Sequence, residues 1–547
     1  MPAPNAVQQI QEIPLKIVGG NNFGRYNKIS DEQTFNFIVS DNALVPYAGY
    51  KVVSEISETV GRGLYSSFTG QFMLSVIGNQ LYKSVRNQIT GSIQTTIIAG
   101  AQLGTSSGDV YISENNNAQI CITDNSFIYV YDWFNNIFWS NLPSQAPATK
   151  LNFYYTSPGY ISFQNGRFIV ACNDTQDWIL SNINDATSAT AWPQPNDAYR
   201  VGKIQSKPGR IKAVVPVPGG GNNIVVMGSN VAETWTDYGL ALFPYQRNST
   251  FNIDYGCLNP SSIAELDNFV VWLAVNEQSG PILMMATGSA IKKISTDGID
   301  YRLSQLKNPQ NCTGFLFQQD GHLLYQFTFP DDNLTLAYDF NTQLFFTVTD
   351  ENLNYHPARQ VVFFLDNYYF VSLKDGNLYR FGTQYTNAQY GLGNTGIRII
   401  PRIRITPPLR IPSQRYFICK SLGFTIENGE PNNIAYTPIA FTSSYKYITT
   451  ESGKKILTEI GQKLITEKVL TPTAYNEYAS NQVFLAISRD GAESFGNAYP
   501  VPMNPTGKRT SRLIWQRLGI ANDATFQLRF IGYSRFVCFD GIVEAYQ

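Results

Sequence analysis

Gly166-Arg167-Phe168-Ile169-Val170-Ala171-Cys172 sets a turn residue before an unbroken apolar run, and the same pattern occurs seven times along the chain. The other runs are Phe72 to Val76, Phe127 to Tyr131, Ile224 to Met227, Phe269 to Val275, Leu323 to Phe327 and Tyr368 to Leu373. Each follows a Gly or Asn. From Gly70 to Asn367 the spacing averages about 50 residues, the size of one four-stranded propeller blade. Such a run is too continuous for a strand with one wet face, so it predicts a blade's inner strand, buried on both sides. Asn79 to Lys83, Val231 to Trp235, Ala290 to Ile294 and Asn377 to Arg380 are more amphipathic and predict outer strands. The expected fold is all-β, a β-propeller of six or seven blades, with a large open sandwich as the alternative.

Composition agrees with strands and turns. Among 547 residues there are 33 Tyr, 34 Phe and 42 Gly, a balance that favours pleated, turn-rich structure over helices. Residues 1 to 55 read as a lead-in, 56 to 385 as the propeller and 386 to 547 as a C-terminal β-sandwich. The intervening Gly382 to Gly396 is a linker rich in Gly, Asn, Gln and Tyr. Past it, Ile397 to Thr406 alternates but is interrupted by Pro401 and stopped by Pro407-Pro408, which predicts a sheet edge. Further strands are expected at Phe417 to Glu427, Gln482 to Ser488, Arg512 to Leu518, Ala524 to Gly532 and Phe536 to Ala545. Met1 to Gly20 has no basic start followed by an apolar stretch, and no apolar run approaches a bilayer's thickness, so neither a secretory signal nor a membrane span is expected.

Inside the sandwich lies a tandem repeat with an eight-residue period: ITTESGKK (448 to 455), ILTEIGQK (456 to 463) and LITEKVLT (464 to 471). Its repeated pairs are Thr450-Glu451, Thr458-Glu459 and Thr466-Glu467. An even period keeps each Thr on one face of an extended chain, and Gly453 and Gly461 permit turns. The segment 448 to 471 reads as a projecting insertion, either an appendage-docking tip or a structural spacer.

The charge is uneven. From Arg398 onward there are 18 Lys or Arg against 11 Asp or Glu, and before it 22 against 30. Arg398, Arg402, Arg404, Arg410 and Arg415 are separated by no acidic residue, and Arg402 and Arg404 share a face by strand alternation. This basic segment is a candidate contact for an acidic partner surface or DNA phosphate, and the bland reading is a solvated sheet edge.

Catalytic signatures fail on context. The six cysteines are scattered with no CxxC, as in a protein made in a reducing cytosol. With only His322 and His356 present, a zinc site or His-based triad is not expected, while a carboxylate-only metal site stays open. Gly391-Leu-Gly-Asn-Thr-Gly396 matches GxGxxG but precedes a strand, so no helix N-terminus holds a pyrophosphate. Gly104-Thr-Ser-Ser-Gly108 matches GxSxG but opens onto a strand where a nucleophile elbow needs a helix. Ser488-Arg-Asp490-Gly-Ala-Glu-Ser-Phe495 resembles an Asp-box hairpin, whose carboxylate caps a tight turn. No catalytic residue and no cofactor is expected.

Gly61-Arg-Gly-Leu-Tyr65, Asn79-Gln-Leu-Tyr-Lys83, Leu485-Ala-Ile-Ser-Arg-Asp-Gly491, Arg512-Leu-Ile-Trp515-Gln-Arg517-Leu-Gly519 and Phe526-Gln-Leu-Arg529, in this order, resemble the tail hub of short-tailed bacteriophages. That family is also called the nozzle or packaged-DNA stabilisation protein. The resemblance spans roughly residues 10 to 547 and implies a non-enzymatic virion protein, made in the bacterial host cytoplasm. It implies a homo-hexameric ring below the portal and adaptor, enclosing double-stranded DNA and presenting sites for tail fibres or spikes and a plug or needle. The competing reading is a glycan-binding or glycan-cleaving propeller, which would need an arginine cluster with Tyr and Glu at the blade centre.

Overall fold

The computed structural model describes residues 10–24, 32–56, 59–195, 199–217, 221–240, 243–266, 269–287, 290–392, 396–411, 416–428, 441–447, 465–472, 481–503, 510–532 and 535–546. The chain divides into two compact units. One comprises Gly19–Asp41 and Pro46–Ile400, the other the stretch up to Val18 with Asn42–Val45 and Pro401–Gln547.

The first unit is a seven-bladed propeller. Blade 1 runs Gly61–Ser66, Met73–Ile77, Gln80–Arg86, Ile93–Gln102. Blades 2 to 4 repeat the antiparallel order from Tyr111–Glu114, Pro158–Gln164 and Ile211–Pro216 to outer strands Ile137–Ser140, Val201–Lys203 and Tyr245–Ile253. Blade 5 splits its first strand into Gly256–Cys257 and Ala264–Leu266, both paired with Phe269–Val275, and ends on Ala290–Lys293. Blade 6 runs from Thr313–Gln319 to Phe345–Thr347, beyond which Gln33–Phe35 adds in parallel. Blade 7 holds Ala358–Phe364, Asn367–Ser372 and Leu378–Gly382. The first strands touch in succession around the ring, and blade 7 meets blade 1.

Closure draws on the N-terminal residues. Gly49–Ser54 pairs antiparallel with Leu378–Gly382 as the outer strand of blade 7, and Ala388–Gln389 adds in parallel beyond it. The sequence reading puts Gly49–Ser54 in the lead-in and Ala388–Gln389 in the linker; in the structure both belong to the last blade. A ring closed by a strand from its other end holds first and last blades together through backbone hydrogen bonds. Gly49 is required there, because a Cβ would meet the Asn387 and Tyr385 carbonyl oxygens at 2.6 Å.

The apolar runs are buried on both faces, but they are not the innermost strands. Six are second strands and Phe127 to Tyr131 lies in a third strand, while the shorter, more mixed first strands form the central ring. Phe168, Val170 and Cys172 pack with Cys121, Ile128 and Val130 of blade 2. Ile169 and Ala171 pack with Ile224, Val226 and Trp235 of blade 4. Similar layers join blades 1 and 2 through Phe72, Leu74, Ile120 and Ile122, and blades 7 and 1 through Val371, Tyr369, Leu64 and Met73. Each fully buried Leu, Ile, Val or Phe contributes about 1.5–3 kcal/mol, so these layers dominate the blade packing.

The second unit is a two-sheet sandwich. One sheet orders Ile10–Leu15, Phe536–Tyr546, Phe417–Asn428, Thr510–Ala521. The other orders Arg402–Ile405, Thr525–Ile531, Gln482–Ser488, Tyr499–Pro502. Their inner faces meet where Phe424 stacks on Trp515 and lies edge-on to Phe530, with Phe536 stacked on Phe530. Phe441–Tyr447 and Ile465–Pro472 form an antiparallel ribbon that, among the described residues, joins no other sheet. No helix of the described residues is long and apolar enough to cross a membrane.

Candidate functional site

The basic segment separates into residues with different surroundings. Arg402 and Arg404 share a face of Arg402–Ile405, as strand alternation requires, but that face is interior: they are 1% and 0% exposed. The Arg404 Nε donates to the Ile17 carbonyl at 2.6 Å. Burial lowers the Arg402 guanidinium to about 10. Neither is placed to grip an external phosphate. Arg410 donates through Nε and Nη2 to Asp523 Oδ2 at 3.0 and 2.6 Å. Arg398 is exposed at the end of Ile397–Arg398, and Arg415 lies outside the described residues. Sequence alternation found the shared face; burial of that face depends on the sandwich it enters.

An outward surface of the sandwich collects the charge instead. A groove of about 500 Å³ is lined by Glu12, Lys420, Arg512, Gln516, Arg517 and Glu544 around Ile514 and Ile542. Lys420 and Glu544 form an ion pair at 3.0 Å. The hydrogen bond to Lys420, with a further one from Ser421, lowers the Glu544 carboxyl. Four strands distant in sequence supply these residues, so no local motif announces the groove.

Of the repeat, Thr450, Glu451, Thr458 and Glu459 lie outside the described residues. Thr466 and Glu467 fall in the Ile465–Pro472 strand, where Glu467 is opposite Lys446 and a register shift separates it from the Tyr447–Ile465 pair. The third copy is therefore the return strand of a ribbon.

The propeller axis is crossed by side chains. The Tyr160 hydroxyl of blade 3 donates to Glu265 Oε1 of blade 5 at 2.9 Å. Asn259 beside blade 5 reaches Asp109 beside blade 2 at 3.4 Å, and the Ser261 and Tyr111 hydroxyls are also 3.4 Å apart. Bonds between non-adjacent blades can only bridge the central opening. Water reaches Glu265, yet the surrounding blades solvate it poorly. This desolvation by the surrounding blades pushes its carboxyl up to about 7, and the Tyr160 bond pulls it partly back. The glycan alternative asks for an arginine cluster here; Arg359 is present and engaged with Asp109.

The literal motifs have structural uses. Gly104 to Gly108 wraps Arg62, which donates to the carbonyls of Thr105, Ser107 and Gly108 at 2.7, 2.6 and 2.9 Å. Asp490 accepts from Ser488 Oγ at 2.6 Å and from the Ser494 amide at 3.0 Å, tying the Asp-box-like turn. His356 is buried, and desolvation lowers its imidazole to about 3. His322 bonds Asp339 at 2.9 Å within a turn that Thr342 also joins.

Comparison with known proteins follows the same two-unit division. Residues 32–385 match the family described as Bacteriophage P22 Gp10, beta-propeller, and residues 459–545 match Bacteriophage P22 Gp10, beta-sandwich. No curated protein matches. Among solved structures, similarity is found to virginiamycin B lyase from Staphylococcus aureus, at 12% identity over 60% of this chain and 97% of that one, TM-score 0.36. A chain of a Mitotic Checkpoint Complex matches at 12% over 61% of this chain and 93% of that one, TM-score 0.37. The computationally designed Ika8 protein matches at 11% over 61% and 99%, TM-score 0.34. With the propeller match alone spanning more than half of its length and the sandwich match following in order, the chain belongs to the bacteriophage P22 Gp10 family, tail hub or nozzle proteins of short-tailed phages.

Proposed function

We propose that the chain is a non-enzymatic virion protein that assembles as a homo-hexameric ring below the portal and adaptor, continues the DNA channel, retains packaged double-stranded DNA and docks tail appendages. The family match across both units carries this reading. The bridged propeller axis supports one detail: the conduit runs between copies of the chain, since Tyr160–Glu265 and Asn259–Asp109 cross the centre of each propeller. Synthesis in the host cytoplasm is in keeping with six cysteines that are all free and buried.

Two surfaces are assigned to partners. Lys420, Arg512 and Arg517 around the sandwich groove offer cations to the adaptor, a role the buried Arg402 and Arg404 cannot fill directly. The ribbon that ends the Thr-Glu repeat carries fibres, spikes or a plug.

The test is mass by light scattering, alone and with an adaptor ring. The reading expects six copies per adaptor, with assembly weakened by salt. A chain that ignores the adaptor and binds or cleaves sugars would replace it with the glycan reading.

A further inference from the structure

The sheet that holds the sandwich groove is interrupted at one level. Between Cys419 and Ser421, the strand Phe417–Asn428 places one residue, Lys420, where Thr510–Ala521 places two, Arg517 and Leu518. Phe536–Tyr546 places none there, because Ala545 and Glu544 are consecutive. Bulges of this kind re-aim side chains. Arg517 has φ +60°, a strained conformation for a residue with a side chain, and both Lys420 and Arg517 line the groove. The bulge is braced from outside the sheet. Arg489 donates from Nε to the Ile520 carbonyl at 3.0 Å and from Nη2 to the Leu518 carbonyl at 2.6 Å. Gly519 between them has φ +88°, and a Cβ there would meet the Arg489 guanidinium at 3.0 Å. Arg489 sits in the Asp-box-like turn that Asp490 ties to Ser488 and Ser494, so this turn serves the neighbouring sheet.

Along Phe417–Asn428 the groove has a floor of small residues. Gly423 is directly opposite Ile514 on one side and Ile542 on the other. The two isoleucines, 43% and 41% exposed, therefore flank an apolar notch where a side chain is missing. Arg512, opposite Thr425, lies two residues to one side of the notch, and Ser421, where the bulge with Arg517 begins, lies two residues to the other. Lys420 is held by Glu544. Arg517 has no ion pair among the described residues.

We propose that the groove recognises an extended partner segment of pattern acid-x-apolar-x-acid, with the apolar side chain in the Gly423 notch and the two carboxylates on Arg512 and the bulge-aimed Arg517. Side chains two residues apart share one face of an extended chain and stand about 7 Å apart, the same two-residue step that separates the notch from each end of the groove. Resting on the reading that this groove meets the adaptor, the segment is assigned to the adaptor. Glu12 and Glu544 in the lining disfavour a run of phosphates, so DNA is not the occupant. Arg489 is a positioning residue, acting only through the bulge that aims Arg517.

The test measures binding of labelled peptides to the full chain by fluorescence anisotropy. Asp-Ser-Leu-Ser-Asp is expected to bind about tenfold or more tightly than Ser-Asp-Leu-Asp-Ser, which turns its acids to the opposite face, and than Lys-Ser-Leu-Ser-Lys. Arg517→Gly should weaken the first peptide about tenfold or more, with the melting temperature unchanged or raised because glycine relieves the backbone. Arg489→Gln should weaken it by a similar factor and the double variant no further, since both act through one contact. Arg210→Ala, which removes an exposed charge from the propeller, should leave binding unchanged. Equal binding of the three peptides, full binding after Arg517→Gly, additive losses in the double variant, or displacement of the peptide by double-stranded DNA would overturn the proposal. Light scattering with the adaptor ring judges the source separately: no assembly by the unaltered chain, or full assembly after Arg517→Gly, would overturn the adaptor as the segment's origin, while the peptide comparison still judges the groove.

Discussion

Replacing Arg404 by methionine separates an interior role from an exposed one. The guanidinium is fully buried, and its Nε donates to the Ile17 carbonyl at 2.6 Å. Methionine keeps a long unbranched stem, so little cavity forms, but it has no donor. Loss of a hydrogen bond involving a charged group costs about 1.5–3 kcal/mol. For a unit of this size each kcal/mol lowers the melting temperature by about 2–4 °C, giving a fall of about 3–12 °C. Calorimetry on the full chain measures it, and hydrogen exchange in Thr525–Ile531, the strand paired with Arg402–Ile405, assigns the change to the sandwich. The loss should be similar at low and high salt, because buried groups are weakly screened. Unchanged melting and protection, with a salt-sensitive loss of assembly, would refute the interior role.

Glu265→Gln should flatten one arm of the stability profile. Its folded pKa, about 7, lies above the ordinary glutamate value of 4.5, so the protonated form favours the fold. That contribution is full below the lower value and declines as pH rises to about 7; melting curves of both proteins across this window check it. Gly202→Ala places a Cβ 2.1 Å from the Trp178 ring, and such overpacking should cost about 1–3 kcal/mol in urea unfolding of the propeller. Replacing Phe441–Pro472 with a Gly-Ser linker should leave the sandwich transition intact and remove an appendage from the particle, as seen by electron microscopy.

The propeller was legible because burial on both faces writes itself locally: Phe168 to Cys172 reads as interior from five consecutive residues. The count of seven blades and the ring order were less accessible. Gly49–Ser54 joins a blade more than 300 residues away in sequence, and its composition does not name that partner. Phe127 to Tyr131 looks like its six counterparts yet sits one strand further out, because both second and third strands in blade 2 are fully enclosed. At the candidate site, alternation identified the common face of Arg402 and Arg404 but not that it turns inward. Sheet sidedness is set by Phe526, Leu528 and Phe530 on the neighbouring strand, and by Ile17 far upstream. The Tyr160–Glu265 bridge left no local signal either, since its partners are brought together only when the ring closes.

Imaging of purified virion tails at a resolution that traces this chain tests the central claim most directly. The account predicts six copies in a closed ring below the adaptor, with DNA passing between the copies and every propeller axis bridged. A tail without this chain, a lone copy, or DNA threaded through a propeller would contradict it.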